Sequence, residues 1–158
     1  MTPRPSRSQL SPHTYFQICV RGNNGQKIFE DEKDRLRYLS LIEKYRRYRN
    51  LQCFAFCLMD NHAHMLFLTP STQVLSKTMH AIQVAYAMYF NRKYERRGHL
   101  FQDRFSSWVV KDENHLLSTK EYIENNPVKA GMTTRREDYA WSSAFGDGSC
   151  VTLSQISG

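Results

Sequence analysis

The chain carries two histidines one residue apart, in Asn61-His62-Ala63-His64. On an extended strand successive side chains alternate between faces, so His62 and His64 point to one side and Ala63 to the other. Their Cα atoms then stand about 6.6 Å apart, close enough for both imidazoles to reach one divalent ion. Two histidine ligands leave coordination positions open for water or a phosphate oxygen, as catalysis at a metal requires. Sixty residues after His62 lies Tyr122, in Lys120-Glu121-Tyr122-Ile123-Glu124-Asn125-Asn126-Pro127. If this segment is helical, Asn126 shares a face with Tyr122 and could offer its carbonyl oxygen to a metal near the phenol. A third grouping is basic and aromatic: Arg92, Lys93, Arg96, Arg97, Arg104 and Lys111 interleaved with Tyr94, His99, Phe101, Phe105 and Trp108. Cations contact phosphate and rings stack on bases, so the mixture suits single-stranded or hairpin nucleic acid. Each pattern has a bland alternative: surface histidines, a tyrosine packed on a sheet, and a solvated helix end.

The elements that must hold these residues follow from periodicity. Thr14 to Val20 is a strand, ended by the turn-rich Arg21-Gly22-Asn23-Asn24-Gly25. From about Asp31 to Arg49 apolar residues recur at three- and four-residue steps, with acids at the start and bases at the end, as an amphipathic helix prefers. Leu51–Met59 and Ala63–Thr69 are two strands joined at Asp60-Asn61, which reads as an antiparallel hairpin. Thr72–Tyr94 is a second long helix and Phe105–Val110 a fourth strand. Glu113 to about Asn126 is a third helix that Pro127 stops, with a peripheral tail after it. Strand, helix, strand, strand, helix, strand is the order of a ferredoxin-like α+β sandwich. It implies a four-stranded antiparallel sheet with helices on one face, the other face available, and the tyrosine on an added helix.

Composition bounds the possibilities. The 158 residues carry 22 Lys+Arg against 15 Asp+Glu, a net charge of +7, which favours a polyanionic partner. Residues 1–13 and 146–158 read as loose ends around one domain at 14–145. No apolar run approaches the roughly 18 residues of a membrane span, and no apolar stretch follows Arg4 and Arg7 as a secretory signal would need, so the expected location is cytoplasmic. Cys19, Cys53, Cys57 and Cys150 form no CxxC pair and read as small apolar core side chains with free thiols.

Five ordered segments together resemble one family. Arg21-Gly22-Asn23, Cys57 through His64, Gly98 through Phe105, Tyr122 through Gly131 and Trp141-Ser142-Ser143 are similar in order and spacing to the REP-associated tyrosine transposases, a bacterial branch of the HUH single-tyrosine transposases. The resemblance implies a metal-dependent single-strand DNA endonuclease and strand transferase that cuts beside palindromic hairpins, working as monomer or homodimer. It implies Tyr122 as nucleophile and His62, His64 and Asn126 as ligands of Mg²⁺ or Mn²⁺. Contacts to the DNA hairpin are expected from Arg21, Asn23, Arg92, Arg96, Arg97, Arg104, Lys111 and Lys129. Two positions depart from the family pattern. Gln17 stands where many relatives have a histidine, and Ala63 is smaller than the usual residue between the two ligands. From the residues alone, a noncatalytic nucleic-acid-binding module on the same fold is the alternative.

Overall fold

The structure, a computed structural model, describes residues 13–146. Strands β1 (Thr14–Arg21), β2 (Gln52–Leu58), β3 (His62–Thr69) and β4 (Ser106–Val109) form one antiparallel sheet in the order β2-β3-β1-β4. The expected order of elements is present, and this strand order is that of the ferredoxin-like sandwich. The loose ends expected at 1–13 and 146–158 fall almost wholly outside the described residues.

Helix α1 (Glu32–Arg49) begins in a reciprocal cap: the Asp31 side chain accepts from Asp34 N at 2.9 Å while Asp34 accepts from the Asp31 backbone. It ends at Asn50, which adopts the left-handed conformation at φ 60°. Helix α2 (Thr72–Lys93) is capped by Ser71, whose hydroxyl accepts from Val74 N. Alternation decides what each strand gives to these helices. Phe16, Ile18 and Val20 of β1, Phe56 and Leu58 of β2, and Met65 and Phe67 of β3 meet Tyr38, Leu39 and Ile42 of α1 and Leu75, Met79, Ile82 and Tyr86 of α2 in the main core.

The other face of the sheet, expected to be left available, is partly covered. Helix α3 (Glu113–Glu124) crosses it, and Ile123 is buried with Ala55, Cys57, Leu66, Val110 and Tyr139 in a second, smaller core. Burying one such side chain stabilises the packing by about 2 kcal/mol. Pro127 does not stop this helix, which ends two residues short of the expected limit. Instead it sits in the first turn of a short further helix, α4 (Asn126–Lys129), where its missing N–H costs nothing.

The segment after α4 is not peripheral either. The chain returns along the open edge of β2: Leu58 N donates to Trp141 O at 2.8 Å, Ser143 N to Phe56 O at 3.0 Å, and the Tyr139 hydroxyl to Leu58 O at 2.5 Å. An edge that would otherwise offer unpaired backbone groups is thereby closed. Cys19 and Cys57 are buried thiols and Cys53 is half-buried, with no disulfide among the described residues. Cys150 lies outside the described residues.

Candidate active site

The hairpin turn that places His62 is held from three sides. Asp60 O accepts from Ile28 N and Phe29 N, Asn61 O accepts from Gly22 N at 2.9 Å, and the Asp60 carboxylate pairs with Arg35 at 2.6 Å. Gly22 must be glycine here, because a Cβ would fall 2.0 Å from Gln26 O. Fixing this turn fixes the register of β3 on β1, with Arg21 opposite His62 and Cys19 opposite His64.

His62 and His64 therefore share the α3 face, as the spacing predicts, with ring centroids 5.0 Å apart. The His62 Nδ1 lies 2.7 Å from Asn61 Oδ1, which orients the ring. His64 is buried and its Nδ1 has no hydrogen-bond partner. From the helix side, the Tyr122 ring stands edge-on to His64 with centroids 5.7 Å apart, yet remains about half exposed at 48%. Asn126, in the first turn of α4, donates from Nδ2 to Tyr122 O at 3.2 Å and hydrogen-bonds the His62 ring through its side chain. One cluster thus joins β3, α3 and α4.

Its electrostatics favour neutral imidazoles. Burial, followed by the positive field of Arg21, lowers His62 from the ordinary histidine range, and Asn126 and Asp60 only partly counter this. In His64 burial, His62 and Arg21 act together and bring the value down to about 4. A neutral imidazole is the form that binds a metal. The unpartnered Nδ1 of buried His64 and the carboxamide of Asn126 beside His62 make a donor set that fits a divalent cation. Among the described residues no group of three or more His, Cys, Asp or Glu is placed to hold a metal ion, so a third protein donor beside the two histidines would be of another type, such as the Asn126 carboxamide. Two cations border the cluster: Arg21, and Lys129, whose Nζ lies 5.8 Å from the Tyr122 ring centroid. Gln17 is on the same face, paired with Leu66 one step beyond the Cys19–His64 pair.

The remaining basic residues are dispersed. Arg92, Arg97, Arg104 and Lys111 are exposed. The Arg96 guanidinium is engaged internally, donating to Asn91 Oδ1 at 2.7 Å and Gln26 Oε1 at 2.6 Å. Asn23 lies in the turn after β1, its N–H bonded to Leu100 O. No contact among the described residues joins Arg92, Arg96 or Arg97 to the histidine cluster.

Sequence reasoning missed two supports. Buried Glu124 accepts from the Ser143 hydroxyl at 2.9 Å and pairs with Lys120 at 3.3 Å, while Ser143 N bonds Phe56 O. This ties the last turn of α3, two residues past Tyr122, to the sheet edge. The other is Asn61, which orients His62. Ser143 belongs to the Trp141-Ser142-Ser143 motif, but nothing in the sequence links it to Glu124.

A helix-borne tyrosine facing paired histidines on a ferredoxin-like sheet defines a class, and comparison with known proteins agrees. The chain belongs to the IS200-like transposases, whose family model, "Transposase IS200 like", matches residues 11–126. It is accordingly a tyrosine transposase, an enzyme of DNA cleavage and strand transfer. Among individual proteins, the chain is 29% identical over 150 residues to one from Haemophilus influenzae (strain Rd) named as a REP-associated tyrosine transposase, covering 84% of this chain and 80% of the relative. A solved structure of a REP-associated tyrosine transposase bound to a REP hairpin matches 90% of this chain and 82% of its own, with a TM-score of 0.68 at 20% identity. A transposase structure from Deinococcus radiodurans R1 matches 79% of this chain and 97% of its own, with a TM-score of 0.51 at 16% identity. At these identities the two structures speak for the fold. No helix among the described residues is long and apolar enough to cross a membrane.

Proposed function

We propose that this transposase cleaves single-stranded DNA beside a palindromic, REP-like hairpin, with Tyr122 as nucleophile and Mg²⁺ or Mn²⁺ held by His62, His64 and Asn126. The observation that carries this reading is the meeting of a half-exposed phenol with a neutral histidine pair across 5.7 Å. A divalent cation there would supply charge to offset the negative charge that develops on the phosphate oxygens.

The protein's own groups then have distinct roles. Tyr122 loses its proton and its oxygen attacks the scissile phosphorus. The bond to the 3′ oxygen breaks, and that oxygen leaves as a 3′-hydroxyl after taking up a proton. A 5′-phosphotyrosine remains, conserving the phosphodiester energy for rejoining. Lys129 and Arg21, one on each side of the cluster, hold the phosphates that flank the cut. The exposed Arg92, Arg97, Arg104 and Lys111 contribute to hairpin affinity through the backbone. Arg96 helps indirectly, by bracing the segment that carries Arg97 and Arg104 against Gln26.

Tyr122, His62, His64 and Asn126 meet within one chain, which supports a site that a single protomer can complete. The relative solved with a REP hairpin and the net charge of +7 both support a DNA hairpin as partner, and a reaction on chromosomal repeats in the cytoplasm is the setting that fits this reading. A noncatalytic binding module would have no use for an exposed phenol beside metal-competent imidazoles. The test is incubation with a labelled single-stranded hairpin and Mn²⁺, followed by a denaturing gel. A covalent protein–DNA band is expected, and its absence from the wild type across a set of REP-like hairpins would overturn the assignment.

A further inference from the structure

On the helix side of the molecule a groove of about 1000 Å³ runs between α2 and the loop from Gly98 to Phe105. Its composition is unlike a packing defect. Arg49, Lys77 and Arg104 bring three cations to it against the one carboxylate of Asp103, and none of the three has an ion-pair partner among the described residues. Between the charges lie apolar and aromatic surfaces, notably Val84 on α2 and Phe101 and Phe105 on the loop.

Two residues of the lining each hold a stranded polar atom behind the groove surface. Arg49 Nε and Gln83 Oε1 are shut off from solvent with no hydrogen-bond partner, one a donor and one an acceptor. A buried polar group left unpaired is costly, and a ligand seated in the groove would let these side chains turn and satisfy it. The groove also has a fixed relation to the histidine cluster. Asn23 lines one end, and its N–H bonds Leu100 O at 2.8 Å. Gln102 N bonds Arg21 O at 2.9 Å, and Arg21 is the partner of His62 across β1 and β3. One end of the groove is thus two residues along the chain from the cation beside the reacting phosphate.

We infer that this groove takes a single-stranded stretch of the DNA substrate that leaves the active face past Asn23 and follows α2. Its cations meet phosphates, and its apolar and aromatic lining meets base faces that a duplex would keep stacked. The guanidinium of Arg49 and the carboxamide of Gln83, both at the lining, offer polar groups to the edges of an unpaired base. The inference rests on the DNA-cleaving reading above, and it adds a second stretch of contact along α2 that the scissile phosphate does not require, with Arg104 standing between it and the hairpin.

Fluorescence anisotropy tests it with three synthetic substrates sharing one hairpin. In one the single-stranded flank stops just past the cleavage point, and in the other two it is extended, on the 5′ and the 3′ side respectively. The wild type should bind one of the extended substrates about tenfold more tightly than the short one. Val84→Trp, which fills the groove from an exposed helix position, should abolish that gain and leave affinity for the short substrate in place. Lys77→Ala should lower the salt slope for the extended substrate by about 0.7, the value of one single-strand phosphate contact. Equal wild-type affinity for all lengths, or a length effect that survives Val84→Trp, would overturn the inference. The covalent band on the short substrate is read separately, so failure of the groove and failure of the cleavage assignment are distinguishable.

Discussion

The ring of Tyr122 stands edge-on to that of His64, their centroids 5.7 Å apart, although the two residues come from a helix and a strand and lie fifty-eight positions apart in the chain. Each ring is where it is for a local reason. His64 is set by the register that the Asp60-Asn61 turn imposes on β3, and Tyr122 by the burial of its neighbour Ile123 against Ala55, Cys57 and Leu66. The consequences of this meeting can be measured.

Metal affinity should depend on all three donors. His62→Ala and Asn126→Ala are each expected to weaken Mn²⁺ binding at least about tenfold by calorimetry, since each removes one ligand. Asn61→Ala should weaken it less, because it frees the His62 ring without removing a ligand. Mn²⁺ binding unchanged by His62→Ala would remove this site from the account.

Acid should destabilise the metal-free protein in a definite window. An unfolded chain protonates an ordinary histidine near 6.5, whereas His64 in the folded chain takes its proton only near about 4. Between these values the unfolded state binds more protons, so stability falls as pH falls, by about 3 kcal/mol in all. Denaturant midpoints at pH 7 and pH 5 should differ in the wild type, and the difference should shrink in His64→Gln. Loss from Asp34 comes at lower pH. Burial alone would raise that carboxyl, but hydrogen bonds from Lys93, Tyr94, the Glu30 backbone and Tyr89 hold it down to about 2.

The bond from Ser143 to Glu124 should matter to both stability and rate. Ser143→Ala leaves a buried carboxylate with only Lys120, at a cost of about 1 to 3 kcal/mol. It should also reduce single-turnover cleavage more than hairpin affinity, because what it loosens is the last turn of α3 beneath Tyr122. Ser143→Thr, which keeps the hydroxyl, should restore much of the rate. Loss of affinity with an unchanged rate would place Ser143 in DNA binding instead.

Asp34 is the brace between the two long helices. Its buried carboxylate accepts from the Tyr94 hydroxyl at 2.6 Å, Lys93 at 2.8 Å and the Tyr89 hydroxyl at 2.9 Å. Asp34→Asn leaves Lys93 without its inner partner and should lower unfolding free energy by about 3 kcal/mol in denaturant titration. Because the brace lies on the helix side of the sheet, binding of Mn²⁺ should persist.

Much of this site is legible in the residues. Strand alternation alone puts His62 and His64 on one face, and periodicity alone finds the helix of Tyr122. Legibility ends where partners are distant in sequence. Pro127 reads as a stop because proline breaks helix interiors, yet in a first turn it is compatible with helix, and that difference places Asn126 beside His62. Nothing periodic marks Trp141-Ser142-Ser143, since its hold on β2 consists of a few backbone bonds and one serine hydroxyl. Arg96 looks like one more surface cation until Gln26, seventy residues earlier, is seen to accept from it.

The central claim is that Tyr122 forms the bond to DNA under control of the metal at His62, His64 and Asn126. Mass-spectrometric mapping of the nucleotide-linked residue, after incubation with a single-stranded hairpin and Mn²⁺, tests it most directly. Linkage is expected at Tyr122 alone, lost in Tyr122→Phe and lost on chelation. Linkage at another of the nine tyrosines, or a linkage that survives Tyr122→Phe, would contradict it.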